Sequence, residues 1–293
     1  MVQRSLRTFS CSRCPPLTDK SLIDLASLPN LEIMRGQWRR ENNSAFVYPH
    51  HAFPALRELS ISSLHPDTIT DLINASTSTS FTRLILTFGA STGPGALADL
   101  ITLLNHRCSY ACLTQLELWH MERPRIVDVV EPDSLQPLLS FTNLQIIYIS
   151  SPSSYEKIDN ALLKKMALAW PHLRRLEIGV NPSYGLPSRI TFSGIQFLAQ
   201  HCPDLERLGL SFDTSPSQWP KRGGANLKVD ILGVGCTSVL PGSSAAVGKV
   251  LSAIFPNLSK IQHSISPIPH YHQWEDMDAW QEVQRNLRKD KCY

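Results

Sequence analysis

The chain has 293 residues, of which 42% are hydrophobic and 18% are charged, and it carries a formal net charge of +3. The apolar fraction suffices for a sizeable core, in one large domain or two ordinary ones. The charge is too mild to indicate nucleic-acid binding, which normally requires Lys and Arg clustered on one face. No run of sequence reaches the roughly 18 apolar residues of a membrane helix. We therefore expect neither a nucleic-acid nor a membrane partner.

Seven cysteines, an odd number, are spread along the chain, and no apolar stretch follows Met1 as it would in a secretory signal peptide. We expect reduced thiols in an intracellular protein of the cytoplasm or the nucleus. An alternative arises in residues 1–16, which contain Arg4, Arg7 and Arg13, several Ser and no acidic residue. This composition is typical of a mitochondrial presequence.

One short pattern, Leu-x-x-Leu-x-Leu with Phe, Ile or Cys tolerated, recurs along the chain. Its first positions, weaker copies included, are Leu6, Leu31, Leu56, Phe81, Leu113, Leu144, Leu173, Leu205, Leu227 and Leu258. An apolar stretch of period two indicates a short strand with one buried face. The sequence therefore predicts ten short strands at nearly even spacing.

Segments with helical spacing of apolar residues lie between the predicted strands. The clearest cover residues 97–104, 158–166, 195–199 and 247–254. Helix starts are expected near Thr18, Gly95 and Ser243, after loops that contain Pro or Gly. Ser153-x-x-Glu156 has the form of a capping box, which would open the helix around residue 158.

A strand and a helix within about 25 to 32 residues cannot bury their apolar faces alone, whereas stacked copies can. We therefore predict an α/β solenoid of about ten irregular repeats over residues 1–262, an arc with parallel strands on the concave face and helices on the convex face. Residues 263–293 form a Pro- and His-containing linker and a C-terminal capping helix. That helix would place Met277, Trp280, Val283 and Leu287 on one face.

Two stretches carry a more specific pattern. Residues 6–31 contain Leu-x-x-Phe-x-Cys-x-x-Cys-Pro-Pro-Leu-Thr-Asp-x-x-Leu-x-x-Leu-Ala and then Pro-x-Leu, and residues 190–205 restate the second half as Ile-Thr-x-x-Gly-Ile-x-x-Leu-Ala-x-x-Cys-Pro-x-Leu. This closely resembles the cysteine-containing class of leucine-rich repeat that is common in F-box proteins. The aromatic-Pro-x-Leu sequences at Phe53, Trp170 and Phe255 resemble those of the fungal F-box/leucine-rich-repeat-like proteins.

The resemblance implies a ribonuclease-inhibitor-like arc that holds protein substrates for a cullin-based (SCF) ubiquitin ligase. Such proteins normally begin with an F-box that docks the ligase adaptor, and this sequence contains no such segment. We therefore expect a protein–protein interaction module, the substrate-recognition part of an F-box-type ligase subunit, with adaptor binding only if an F-box lies upstream. The alternatives are a leucine-rich-repeat scaffold with no ligase role and a mitochondrial assembly factor.

No motif predicts catalysis, and we expect no enzyme, no cofactor and no metal. Cys11-x-x-Cys14 has the spacing of half a zinc site or of a redox pair, but a second ligand pair is absent and both positions match buried positions of the repeat. The Gly-rich residues 89–95 lack the Lys-Ser/Thr ending of a phosphate loop. Residues 35–40 mix Arg with Trp38, a composition that can stack on a nucleic-acid base, although a solvated loop is the commoner explanation.

The residues between the aliphatic positions of each strand should point to the concave face. Aligned across the repeats, they select the candidate partner-binding residues Trp119, Ile146, Tyr148, Arg175, Arg207, Glu117 and Glu177. Exposed aromatic and aliphatic residues grouped with Arg are typical of interface hot spots, and Arg binds carboxylate or phosphate bidentately. The alternative is that Trp119 and Tyr148 pack under the following loop. We expect a monomer that binds a protein substrate or partner on this face.

Overall fold

A computed structural model describes residues 5–11, 14–39, 47–64, 66–88, 95–120, 128–151, 153–180, 188–216, 219, 223–263 and 273–289. These described residues form one sheet of ten parallel strands, in which the spatial order of the strands follows the chain, alternating with eight α-helices. This confirms the predicted α/β class and the leucine-rich-repeat-like solenoid arc.

Ten strands build the sheet: β1 (Thr8–Ser10), β2 (Ile33–Trp38), β3 (Glu58–Ser63), β4 (Arg83–Phe88), β5 (Gln115–His120), β6 (Ile146–Ser150), β7 (Arg175–Ile178), β8 (Arg207–Gly209), β9 (Ile231–Gly235) and β10 (Lys260–His263). The helices are α1 (Asp19–Ala26), α2 (Pro66–Ala75), α3 (Ala96–Arg107), α4 (Pro132–Leu135), α5 (Asn160–Ala169), α6 (Phe192–His201), α7 (Ser244–Ile254) and α8 (Gln273–Lys289), with a 3-10 helix at Gln136–Ser140.

The strands share one register, which stacks the aliphatic rows of successive repeats. The second aliphatic position of each repeat pairs with that of its neighbours through Phe9, Met34, Leu59, Leu84, Leu116, Ile147, Leu176, Leu208, Leu232 and Ile261. All of these side chains except Phe9, which is half-buried in the edge strand, lie in the core. The hydrophobic spine is therefore continuous from β2 to β10.

A row of backbone hydrogen bonds extends the sheet by one residue before the strands. Thr82 N–H, for example, donates to the Arg57 carbonyl at 2.8 Å, and Gln145 N–H donates to the Thr114 carbonyl at 2.8 Å. Further along the row, Asp230 N–H donates to the Glu206 carbonyl, and Ser259 N–H donates to the Asp230 carbonyl. Because every repeat donates from an equivalent residue, this row defines the repeat register independently of side chains.

The ninth repeat begins two residues later than the sequence pattern predicts. Leu208 pairs with Leu232, so that Val229 and not Leu227 occupies the first aliphatic position. Val229 is fully buried, whereas Leu227 is 64% exposed. Asn226 explains the shift: it is buried, donates from its side-chain amide to the Cys202 carbonyl at 2.9 Å and accepts from Lys228 N–H at 2.8 Å. Leu227 is thereby directed outwards.

Helix starts follow the capping rules at three positions. The side chains of Thr18, Asp159 and Thr191 accept hydrogen bonds from N–H groups in the first turns of α1, α5 and α6. The prediction that Ser153 and Glu156 form a capping box at α5 is wrong, because the helix starts later and Asp159 accepts from Leu162 N–H at 2.9 Å.

The C-terminal helix covers the last strand of the sheet. Trp280, Val283 and Leu287 of α8 are buried, and the Trp280 indole N–H donates to the Thr237 carbonyl at 2.7 Å. Gln284 accepts from Ile261 N–H at 2.6 Å and donates to the Ser259 carbonyl at 3.0 Å. Since these groups belong to the edge strand β10 and its entry, α8 satisfies backbone groups that an edge otherwise leaves unpaired. Three of the four residues predicted on the apolar face of this helix are therefore buried, and Met277 is half-buried.

The cysteine pair at the first strand departs from the prediction. Cys11 is half-buried and Cys14 is exposed, so the prediction that both occupy buried repeat positions is wrong. The two residues form a disulfide, with their Cα atoms 5.6 Å apart. The expectation of reduced thiols therefore does not hold for this pair. The exposure of the two cysteines follows from their position, because β1 is the edge strand of the sheet and no described strand pairs with its outer side.

Candidate functional site

The concave face is the face of the sheet opposite the helices, formed by the residues between the aliphatic positions. The strand register aligns these residues in ladders, of which the central one runs through Arg35, Ser60, Ile85, Glu117, Tyr148, Glu177, Gly209 and Gly233. All seven predicted binding residues lie on this face within β5 to β8, and the structure brings them together in one connected cluster.

An aromatic stack lies at the middle of the cluster. The rings of Trp119 and Tyr148 are parallel within 26° with their centroids 4.0 Å apart, and the Arg175 guanidinium lies 5.1 Å from the centroid of the Tyr148 ring. Because its neighbours cover it on both sides, Tyr148 is only 5% exposed, whereas Trp119 and Ile146 remain partly exposed. Burial is the main cause that raises the pKa of the Tyr148 hydroxyl, and a hydrogen bond with Ser150 opposes it. A partner would therefore touch Trp119 and Ile146 more than Tyr148.

Glu117 is buried on the N-terminal side of this stack. Its carboxylate accepts hydrogen bonds from the Trp119 indole N–H at 3.0 Å and from the Gln115 side-chain amide at 2.6 Å. Both donors are neutral, and no ion pair reaches Glu117 from the residues that the structure describes. Glu117 thus fixes the orientation of the Trp119 ring rather than presenting its own charge to a partner.

Glu177 lies on the other side of the stack and binds two arginines. Arg175 Nε donates to Glu177 Oε1 at 2.7 Å, and Arg207 Nε forms an ion pair with the same oxygen. The Arg207 guanidinium also donates to Gln262 Oε1 at 2.7 Å. The Glu177 side chain is 6% exposed, against 26% for Arg175 and 32% for Arg207. The Glu177 side chain is therefore the most buried of the three, the two arginine side chains are partly exposed, and the group has a net charge of +1.

Glycine on the neighbouring strand makes room for this arrangement. A Cβ atom at Gly209 would lie 2.8 Å from Cγ of Glu177 and 2.7 Å from Val180 Cγ2. A Cβ atom at Gly233, next along the ladder, would lie 3.2 Å from Val180 Cγ1. The two glycines let Glu177 lie flat against the sheet, and they leave Arg207 the space to reach Gln262 on β10.

A second Arg–Glu–Arg group, absent from the sequence prediction, occupies β2 to β4. Arg35 donates to Glu58 Oε2 at 2.8 Å, and Arg83 lies 3.9 Å from the same oxygen. The Arg83 Nε atom is buried without a hydrogen-bond partner among the described residues. The ladder alignment places Glu58 and Arg83 on the concave face. The sequence does not single them out as binding residues, because neither has an aromatic neighbour in the pattern.

A separate cleft opens at the carboxyl ends of β8 and β9, with a volume of about 370 Å³. Its lining is mostly polar: Ser188, Ser211, Phe212, Asp213, Thr214, Ser215, Cys236, Thr237, Ser238 and Leu240. Asp213 accepts from Ser215 N–H at 2.9 Å and from its hydroxyl at 2.6 Å. The described lining supplies local turn contacts rather than a converging set of charged groups.

The other sequence candidates do not form sites in the described structure. Trp38 is buried at 2% exposure with its indole N–H 3.0 Å from an Asp19 oxygen, so it does not present its ring for base stacking. Among the described residues no cluster of three His, Cys, Asp or Glu side chains is arranged to hold a metal ion, and no helix there combines the length and apolarity that a membrane span needs. Residues 89–94, 121–127, 181–187, 217–218 and 220–222 lie outside the described residues, and they include most of the loop after Trp119.

No protein-family model matches the chain, and no curated protein matches it at a significant level.

Proposed function

We propose that this protein is a protein-recognition module that binds its partner on the concave face, centred on Trp119 and Ile146. The observation that carries the proposal is the partly exposed Trp119, held in place by its hydrogen bond to Glu117 and by its stacking on Tyr148. An aromatic anchor that is immobilised before binding loses little side-chain entropy when a partner covers it. The solenoid supplies a rigid support for such a surface.

The fuller proposal is that the concave face selects substrates for an F-box-type ubiquitin ligase. Support comes from the resemblance of the repeats to the cysteine-containing class and from the solenoid itself, while the adaptor contact would need an F-box. The alternative of a scaffold without a ligase role uses the same surface. Recovery of a cullin adaptor with the full-length gene product separates the two, because a scaffold would bind its partner without the adaptor. Residence in the cytoplasm or nucleus belongs to this proposal, and mitochondrial import of a fusion carrying residues 1–16 would contradict it.

Affinity capture from cells tests the binding surface. The combined substitution Trp119→Ala with Ile146→Ser removes the exposed apolar anchor and leaves the buried row intact. Leu168→Ser, at a 65% exposed position of α5 on the opposite side of the repeat, serves as the control. We expect a partner that is recovered with the wild-type protein and the control and is lost with the concave variant, when all three have the same circular dichroism spectrum and melting temperature. Equal recovery with the concave variant would contradict the proposal.

A further inference from the structure

We propose that Arg175 and Arg207 form a preorganised receptor for a carboxylate on the partner, so that the concave face selects an acidic peptide segment. This inference rests on the proposed protein-recognition function and specifies the chemistry of the partner. Its basis is a difference in burial between the charged side chains: Glu177 is 6% exposed, whereas Arg175 and Arg207, which bind it, are 26% and 32% exposed.

Preorganisation is the first argument. Glu177 holds both Nε atoms, the Tyr148 ring contacts the Arg175 guanidinium and Gln262 accepts from Arg207. Arginine normally loses much rotamer freedom when it binds a ligand, and here most of that loss has already occurred on folding. Guanidinium groups match carboxylates geometrically, because their N–H donors form a planar fork.

Charge is the second argument. Each of the two Arg–Glu–Arg groups on the concave face has a net charge of +1, with its carboxylate shared between two arginines. In the Arg35–Glu58–Arg83 group the arginines are again the more exposed members, at 41% and 37% against 29%. An acidic segment would be attracted by both groups, and the apolar surface of Trp119 and Ile146 lies between them.

The distance between the two groups sets the length of the ligand. Glu58 is on β3 and Glu177 is on β7, so four strand spacings separate them, about 19 Å at about 4.8 Å each. An extended peptide rises about 3.3 Å per residue, so about six residues span that distance. A peptide of about ten residues therefore reaches both groups.

The test uses a fluorescein-labelled oligoglutamate of about ten residues as the probe, with oligoglutamine of the same length, an oligophosphoserine peptide and a single-stranded oligonucleotide as comparisons. Fluorescence anisotropy at low and high salt measures the affinity of each. We expect oligoglutamate to bind, oligoglutamine not to bind, and the affinity to fall as salt rises. Arg175→Gln with Arg207→Gln should weaken oligoglutamate binding about tenfold or more, since each removes a charge-assisted hydrogen bond.

Two further variants make the result interpretable. Arg174→Gln is the matched control, because Arg174 neighbours Arg175 in sequence and pairs with Glu206 at an exposed site before the strand; it should bind oligoglutamate as the wild type does. If the double variant unfolds because Glu177 is left buried and unpaired, the triple variant with Glu177→Gln removes that charge and should fold and still fail to bind.

The outcomes separate this inference from the function on which it rests. If the double or triple variant binds oligoglutamate with wild-type affinity, the proposed arginine receptor is overturned. It is also overturned if the wild-type protein does not bind oligoglutamate. If partner capture nevertheless remains sensitive to Trp119→Ala with Ile146→Ser, only the acidic specificity is refuted. Tighter binding of the phosphoserine peptide would assign the receptor to phosphate rather than carboxylate, and tighter binding of the oligonucleotide would overturn the choice of a peptide.

Discussion

At the scale of single residues, the carboxyl end of β7 depends on one glycine. Gly179 has a φ of +64°, a left-handed conformation that costs other residues about 1–2 kcal/mol. A Cβ atom there would also lie 2.5 Å from Cδ2 of the Tyr155 ring, which packs against the core. Both backbone and space therefore require glycine at this position.

Gly179→Ala should lower the free energy of unfolding by more than the backbone cost of about 1–2 kcal/mol, because the Tyr155 ring must also move. Chemical denaturation of the wild type, Gly179→Ala, Tyr155→Ala and the double variant forms a cycle that separates the two causes. In the Tyr155→Ala background only the backbone cost should remain. An equal effect of the glycine substitution in both backgrounds would show that the ring does not constrain this turn.

A buried thiol links two repeats. Cys202, at the end of α6, is fully buried and its Sγ lies 3.6 Å from the Trp170 carbonyl and 3.8 Å from the Ala167 carbonyl of the preceding repeat. Burial raises the pKa of the Cys202 thiol from 9.0 to about 12. The folded protein thus favours the neutral thiol more strongly than the unfolded chain does.

This shift predicts a loss of stability at high pH. The contribution is fully present below the unfolded-state pKa near 9.0 and is lost as pH rises towards about 12, because the unfolded chain releases the proton first. Between these values the slope due to this thiol approaches about 1.4 kcal/mol per pH unit. Wild-type stability measured by denaturation from pH 8 to 11 should therefore fall more steeply than that of Cys202→Ala. If the two proteins lose stability equally with pH, burial does not raise the pKa of the Cys202 thiol.

At the scale of the elements, alternate residues of a strand lie on opposite faces of the sheet, one set in the core and the other on the concave face. Ile147 is fully buried in the aliphatic row and pairs with Leu116 and Leu176, whereas its neighbour Ile146 lies half-exposed on the concave face. The pleat of the strand, with successive side chains on opposite faces, causes this division.

Ile147→Ala should lower the free energy of unfolding by about 2–5 kcal/mol through the cavity that it leaves. Ile146→Ala removes the same atoms from the same strand and should cost under about 1 kcal/mol. Urea denaturation of the two variants provides the comparison. Similar losses would contradict the register that assigns one residue to the core and the other to the surface.

The sequence predicts the strands and ladders well because both follow from a local period. Every aliphatic row from β2 to β8 is found at the expected position, and so are the helix starts near Thr18 and Gly95. The sequence pattern places the ninth repeat wrongly, at Leu227, because the buried Asn226 determines the turn there. The sequence does not show that this loop Asn is buried. The sequence likewise cannot show that Asp159 rather than Ser153 caps α5.

The candidate site was predicted as a set of residues but not as an arrangement. The ladders place Glu117, Tyr148 and Glu177 on the concave face. Their burial depends on side-chain contacts between strands, which the local sequence pattern does not predict. Trp119 covers Tyr148 diagonally, and Arg207 reaches Gln262 two strands away across Gly233. These contacts arise from side-chain length and from the missing side chains of glycine, which are properties of neighbours in space.

At the scale of the whole molecule, the parallel solenoid gives two surfaces of different character. The helices shield one face of the sheet, and α8 closes its C-terminal edge through Trp280 and Gln284. No described element covers the other face, which carries the aromatic stack between two groups of arginines. A fold of this kind contributes rigidity and a wide surface, and both suit the proposed binding of a partner on the concave face.

Hydroxyl-radical footprinting of the protein alone and in complex with its captured partner tests the central claim most directly, because oxidation of each side chain reports its contact with solvent. We predict that the partner protects Trp119 and Ile146, while Tyr110 and Leu168, which are 48% and 65% exposed, are oxidised equally in both samples. Protection of Tyr110 and Leu168 with unchanged oxidation of Trp119 would place the partner elsewhere and contradict recognition on the concave face.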